Sequence, residues 1–165
     1  MYSFELKKAD SVANAAALLA QTGGRPLAGG QSLIASMKMR LAQPGTLVDL
    51  SGVPELKGIR KEGEHLVIGA MVQHAEVASS AEVKAAIPAL AALAEGIGDR
   101  QVRNMGTLGG SIANNDPAAC YPAAVLGLNA IVHTNKRKIA ADDFFKGLYE
   151  TALADGEIIT SVSFP

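Results

Sequence analysis

Phe4 and Leu6 alternate with polar neighbours, the period-two signature of a short strand, after which the apolar positions change to helical spacing. Asp10 or Ser11 is placed to cap a helix running through Gln21, with Gly23-Gly24 as its stop. Pro26 and Leu27 give a second short strand. A glycine-containing loop follows, and Ser32 is placed to cap a helix over Leu33 to Leu41 that Pro44 prevents from continuing. Thr46 to Leu50 reads as a third strand. The order predicts a small βαβ-like lobe over about residues 1–55, with the first glycine loop at a strand's carboxyl end, where α/β sheets place ligands.

From Gly58 the pattern changes. Gly58-Ile59-Arg60-Lys61, a Glu62-Gly63 turn and Leu66-Val67-Ile68-Gly69 predict an antiparallel hairpin, the start of a second lobe over about residues 56–165. Gln73 to Ser79 and Ala81 to Glu95 read as helices, the latter carrying Val83, Ile87, Leu90 and Leu93 at helical spacing. Residues 96–122 form the longest stretch without periodicity, and loops that long usually have a function. Ala130 to His133, a Thr134-Asn135 turn, Lys138-Ile139, a short helix over Asp142 to Phe145 and a strand over Ile158 to Phe164 complete the chain. The pattern predicts an α+β chain of two lobes without internal repeats.

Composition narrows the chemistry. The 165 residues suffice to bury about 70% of the unfolded surface without staples. Lys and Arg number 15 against 16 Asp and Glu, so no basic field exists to attract nucleic acid or anionic lipid. Trp is absent, which also argues against stacking platforms for single strands. A single cysteine, Cys120, and three scattered His offer neither an internal disulfide nor a metal-ligand cluster. No apolar run approaches the ~20 residues needed to span a bilayer, and the first residues lack a secretory pattern. These features predict a cytoplasmic protein.

Two short motifs close on paired glycines: Ala28-Gly29-Gly30-Gln31-Ser32-Leu33 and Thr107-Leu108-Gly109-Gly110-Ser111. A residue without Cβ takes positive φ and lets backbone N–H groups lie against a ligand, and successive amides in a tight turn form an anion nest. Hydroxyls such as Ser32 and Thr107 add uncharged donors. Two such turns predict a diphosphate ligand gripped between them.

Better-known nucleotide motifs fail. Gly24 to Gly29 has the glycine spacing of a P-loop, but Gly30-Gln31 stands where Lys and Ser or Thr would hold phosphate and magnesium. Gly96-Ile97-Gly98 begins like a dinucleotide fingerprint, yet its third glycine is Gln101 and the preceding segment reads as helix. No Gly-x-Ser-x-Gly elbow is present, and His74 and His133 read as surface or packing residues. No catalytic acid, base or nucleophile is evident.

Together with Gln101-Val102-Arg103-Asn104-Met105-Gly106 before the second motif and Asn115-Asp116-Pro117-Ala118-Ala119 after it, the two glycine motifs resemble the FAD-binding medium subunits of molybdenum hydroxylases, most of all the carbon monoxide dehydrogenase type. The resemblance runs from Phe4 to Pro165. It implies the two-lobed FAD-binding domain of the p-cresol methylhydroxylase and vanillyl-alcohol oxidase type. Ala28, Gly29, Gly30, Gln31 and Ser32 together with Thr107, Gly109, Gly110 and Ser111 would cradle the pyrophosphate, with Leu33 a further cofactor-binding residue, Ile97 near the adenine and Ile159 near the flavin rings. It further implies an oxidoreductase subunit that moves electrons from iron–sulfur clusters through FAD to a quinone or other acceptor. Molybdopterin and 2Fe-2S would lie on a large and a small partner subunit, in a heterohexamer of two copies of each chain.

Three features qualify the resemblance. The family usually has Asp at the position of Cys120, bonding a hydroxyl of FAD; a thiol is a weak donor and poor acceptor, a loss of about 0.5–1.5 kcal/mol. Gln31 replaces the His used by oxidases that attach flavin covalently, so non-covalent FAD is expected. The family also continues into a lysine-containing loop and a C-terminal domain, whereas this sequence stops at Pro165, which predicts an open flavin face and weak cofactor retention. A stand-alone flavin oxidoreductase and a flavin-free interaction module are the alternative readings.

Overall fold

The computed structural model describes residues 1–165. In the first lobe, β1 (Glu5–Lys8), β2 (Arg25–Leu27) and β3 (Thr46–Asp49) form a parallel sheet in the order β1-β3-β2. Helix α1 (Val12–Thr22) covers it. Its start is fixed by Ser11, whose side chain accepts from the Asn14 amide, and its end by Gly23 at φ 60°, whose N–H donates to the Leu19 carbonyl. The small core joins Leu19 of α1 to Val48, Leu50, Val53 and Leu56, and it also takes in Ile158 from the far end of the chain. Ile158, with Met71 packed against the same core, ties the two halves together through apolar burial.

The second lobe is built on an antiparallel sheet, β4 (Ile59–Glu62), β5 (His65–Gly69), β10 (Ile159–Phe164), β6 (Ile131–Thr134) and β7 (Lys138–Ala140), in that spatial order. The central strand β10 is flanked on both sides, so that all of its residues but Thr160 are buried, the hydroxyl residues Ser161 and Ser163 included, with Val162 and Phe164 at 0% exposure. Helices α3 (His74–Ser79), α4 (Ala81–Ala86), α5 (Pro88–Glu95), α6 (Arg100–Arg103), α7 (Leu108–Asn114), α8 (Tyr121–Gly127) and α9 (Ala141–Phe144) accompany the sheet. The large core gathers Leu90, Leu108, Ile112, Tyr121, Phe144 and Phe164. A two-stranded hairpin, β8 (Phe145–Gly147) and β9 (Glu150–Thr151), projects from it.

Three local expectations are corrected. The helix expected over 81–95 is two helices, because Pro88 has no N–H to continue α4 and forces Ile87 to an extended φ of −139°. Ser32 makes no capping bond, and α2 (Leu33–Lys38) ends before Leu41. The stretch 96–122 contains two whole helices and the start of a third, too short for periodicity to show; Asp99 caps α6 and Thr107 caps α7.

Candidate functional site

A cleft of about 460 Å³ opens where the two sheets meet, lined by the first glycine motif, the second, and the start of β10. Its size lies within the roughly 300–1,000 Å³ of small-molecule and cofactor sites.

The first motif follows β2 directly. Gly30 stands at φ 71°, a backbone conformation that glycine adopts without cost. The amides of Ala28, Gly29, Gly30, Gln31 and Ser32 donate to no main-chain carbonyl of the chain. A row of unpaired amides beside a cleft is the arrangement that binds an anion. The Gln31 side chain is folded back, its Nε2 donating to the Gly29 carbonyl over 3.1 Å, which holds the turn in shape.

The second motif is built differently. It lies along residues 70–74: the Leu108 and Gly109 amides donate to the Val72 and Ala70 carbonyls, and the His74 amide to the Gly106 carbonyl. Thr107 Oγ1 accepts from the Gly110 amide over 3.1 Å, and the Thr107 carbonyl from the Ser111 amide. The expected second nest is therefore absent: the amides of 108–111 are already used in starting α7 and docking it. Its glycines serve close approach instead. A Cβ on Gly109 would come 2.6 Å from that of Ala70, and one on Gly110 would lie 3.4 Å from Ala28 Cβ, so the two motifs face each other across the lobes. Asn114 Nδ2 reaches Ser32 Oγ at 3.4 Å beside them. What the second side offers a ligand is the hydroxyls of Thr107 and Ser111 and a surface without side chains.

Of the residues singled out in the sequence, Ala28, Gly29, Gly30, Gln31, Ser32, Leu33, Thr107, Gly109, Gly110, Ser111 and Ile159 line this one cleft. Ile97 and Cys120 do not. Ile97 packs against the large core, and Cys120 is exposed just before α8.

Sequence reasoning missed the polar groups around the motifs. Arg25 and Asp116 line the cleft, and neither is ion-paired. His74 lines it too; burial holds its imidazole neutral, lowering its pKa to about 4. Glu157 closes one end. Its carboxylate accepts from Arg137 Nε at 3.0 Å and Nη2 at 3.1 Å, from Thr134 Oγ1 at 2.7 Å and from the Ala154 amide at 2.9 Å. The Arg137 hydrogen bonds chiefly pull its pKa down to about 2. This clamp fixes the segment carrying Ile158 and Ile159. None of these residues announces itself by spacing, because each meets its neighbours only through the tertiary fold.

A cleft between a parallel-sheet lobe and an antiparallel-sheet lobe, with two glycine motifs facing each other across it, defines a two-lobed α+β ligand-binding fold. The sequence profile of the family described as the FAD binding domain in molybdopterin dehydrogenase matches residues 2–165, and the chain belongs to that family. The carbon monoxide dehydrogenase medium chain of Hydrogenophaga pseudoflava is 43% identical over 168 residues, covering 98% of this chain and 58% of its own length. The nicotine 6-hydroxylase medium subunit of Paenarthrobacter nicotinovorans is 45% identical over 143 residues, 84% of this chain and 50% of its own. A solved structure of the Hydrogenophaga pseudoflava carbon monoxide dehydrogenase superposes with a TM-score of 0.97 at 43% identity, covering 99% of this chain and 59% of the matched one. The chain thus spans about three-fifths or less of the length of these relatives.

Proposed function

We propose that this chain binds FAD non-covalently and serves as the electron-transfer unit of a molybdenum hydroxylase of the carbon monoxide dehydrogenase type. The observation that carries the reading is the row of unpaired amides over residues 28–32 facing the Thr107–Ser111 turn across one cleft. Those amides fit a pyrophosphate, with the Thr107 and Ser111 hydroxyls opposite and Arg25 as the cleft's unpaired cation. Ile159 and Leu33 supply apolar wall for the flavin end. Ile97 and Cys120 remain proposed contacts toward the adenine and the sugar, outside the cleft proper. When bound, FAD supplies the redox chemistry, accepting electrons from an iron–sulfur partner and delivering them to a quinone or other acceptor.

The chain's own residues bind and orient; no side chain of the cleft is arranged as nucleophile and base. Partners of this reading are a molybdopterin-binding large subunit and an iron–sulfur small subunit carrying 2Fe-2S, assembled as a heterohexamer in the cytoplasm. No helix is long and apolar enough to cross a membrane. The test is titration of the purified chain with FAD, followed by quenching of flavin fluorescence and by the visible spectrum after gel filtration. Saturable one-to-one binding supports the reading, and absence of binding at excess FAD overturns it in favour of a flavin-free interaction module.

A further inference from the structure

Only two buried side-chain polar atoms in the molecule lack a hydrogen-bond partner, and they belong to neighbouring residues: His74 Nδ1 and the Tyr121 hydroxyl. The two rings lie 5.2 Å apart, tilted by 48°. Both residues are packed in the second lobe directly behind the second glycine motif, His74 at 5% exposure and Tyr121 at 0%. An unpartnered buried polar atom costs about 1–3 kcal/mol, so two orphans side by side require a common explanation.

Their chemistry is complementary. Burial pushes the Tyr121 ionisation well up, so the phenol remains an O–H donor. Burial likewise keeps the His74 imidazole neutral, so one of its ring nitrogens accepts while the other donates. The phenol has a proton to give and Nδ1 has no partner; pairing them, directly or through one buried water, requires Nδ1 to be the acceptor. The proton of the imidazole then resides on Nε2. That nitrogen lies on the side of Gly106, where a Cβ would come within 2.5 Å of it, and both Gly106 and His74 line the cleft.

Resting on the FAD reading above, we infer that His74 is a further ligand-binding residue: a neutral Nε2–H donor directed at an acceptor oxygen of the bound dinucleotide beside Gly106, with its tautomer set from behind by the positioning residue Tyr121. An uncharged donor at this point adds to the hydroxyls of Thr107 and Ser111, which compensate for the amides that α7 has already taken.

The test is ¹⁵N-edited NMR of the imidazoles in the full chain at neutral pH, before and after addition of FAD, alongside FAD dissociation constants from fluorescence quenching. The Nε2–H tautomer in the free chain, a shift of its Nε2 proton on adding FAD, and a tautomer change in Tyr121→Phe are expected. His74→Phe should weaken FAD by about two- to twelve-fold, the range of one hydrogen bond, and His74→Asn, which retains an N–H donor, by less. An Nδ1–H tautomer, or FAD binding that leaves the His74 nitrogens unmoved, overturns the inference while leaving the FAD reading intact. Failure of the unmodified chain to bind FAD at all removes both. Because the NMR signature is read in the unmodified chain, misfolding of a variant does not protect the inference.

Discussion

Gly29 of the first lobe lies directly against the main-chain carbonyl of Met105 in the second, so closely that a Cβ on residue 29 would overlap it. The glycine pair of the first motif is thus divided in purpose. Gly30 supplies positive φ for the turn, and Gly29 permits the lobes to meet, which brings the free amides opposite Thr107.

Gly29→Ala is therefore expected to destabilise the fold by about 1–3 kcal/mol, the range for forcing extra volume into a packed contact, and to weaken FAD binding by displacing the loop. Gly127→Ala is the opposing control. A Cβ there meets nothing within 4 Å, and the position is at the exposed end of α8, so stability should hold or rise by up to about 1 kcal/mol. Urea denaturation of the two variants distinguishes a contact-specific effect from a general intolerance of alanine.

Thr107 combines a structural and a binding role in one oxygen. Its Oγ1 accepts from the Gly110 amide and starts α7, leaving its proton to point elsewhere. Thr107→Ala should cost about 1 kcal/mol of stability as a lost N-cap and reduce FAD affinity further. Thr107→Ser should retain most of both. Equal FAD affinity in all three proteins, measured by fluorescence quenching, would remove Thr107 from the site.

Much of this organisation was legible in the sequence because it depends on local pattern. Ser11 bounds α1 through its side chain and Gly23 through its left-handed backbone, and the turn expected at Glu62-Gly63 falls one residue later, at Gly63-Glu64, because Glu62 still pairs with His65 in the β4–β5 ladder. The two glycine motifs were found from their residues, and all but Ile97 and Cys120 of the residues they suggested fall on one cleft. Periodicity was blind to α6 and α7, each of seven residues or fewer, where a single capping side chain is the only signal. The second motif is no nest because its Leu108 and Gly109 amides are taken by the Val72 and Ala70 carbonyls, a pairing across more than thirty positions that no local pattern records, and its Gly110 and Ser111 amides by Thr107. His74 read as a packing residue, which it is; its place on the cleft depends on that same pairing.

Acid should weaken the fold in two overlapping steps. His74 is neutral when folded, with a pKa of about 4, against an ordinary value of 6.5 when unfolded. Between those values the unfolded chain binds a proton that the folded chain does not, so stability falls as pH drops through that window. Glu157 has its pKa lowered to about 2, so the stability it contributes is present above the ordinary carboxylate range and is lost as pH falls from there toward 2. Urea midpoints measured from pH 7 to pH 3 should decline throughout. His74→Asn should flatten the upper part of the decline, and Glu157→Gln the lower part, with a lower midpoint at pH 7 from the broken Arg137 pair.

Asn115 provides the sharpest separation of backbone from side chain. It ends α7 in the left-handed region, at φ 45° and ψ 47°, and its Nδ2 donates to the Gly147 carbonyl at 2.7 Å and the Glu150 carbonyl at 2.9 Å. Its own carbonyl accepts from the Tyr149 amide, and Tyr149 is itself at φ 58°. One residue thus ties the exposed tip of the β8–β9 hairpin to the helix that begins at Thr107. Asn115→Gly keeps the conformation and deletes both side-chain bonds, a loss of about 1–3 kcal/mol at roughly 0.5–1.5 each. Asn115→Ala deletes them and adds left-handed strain of about 1–2 kcal/mol. Hydrogen exchange at the Tyr149 amide should accelerate in the order wild type, Gly, Ala, while exchange in β10 changes little. Equal protection in the Gly variant and the wild type would show that the Asn115 side chain does not hold the hairpin, and that Tyr149 is kept in its strained conformation by the hairpin alone.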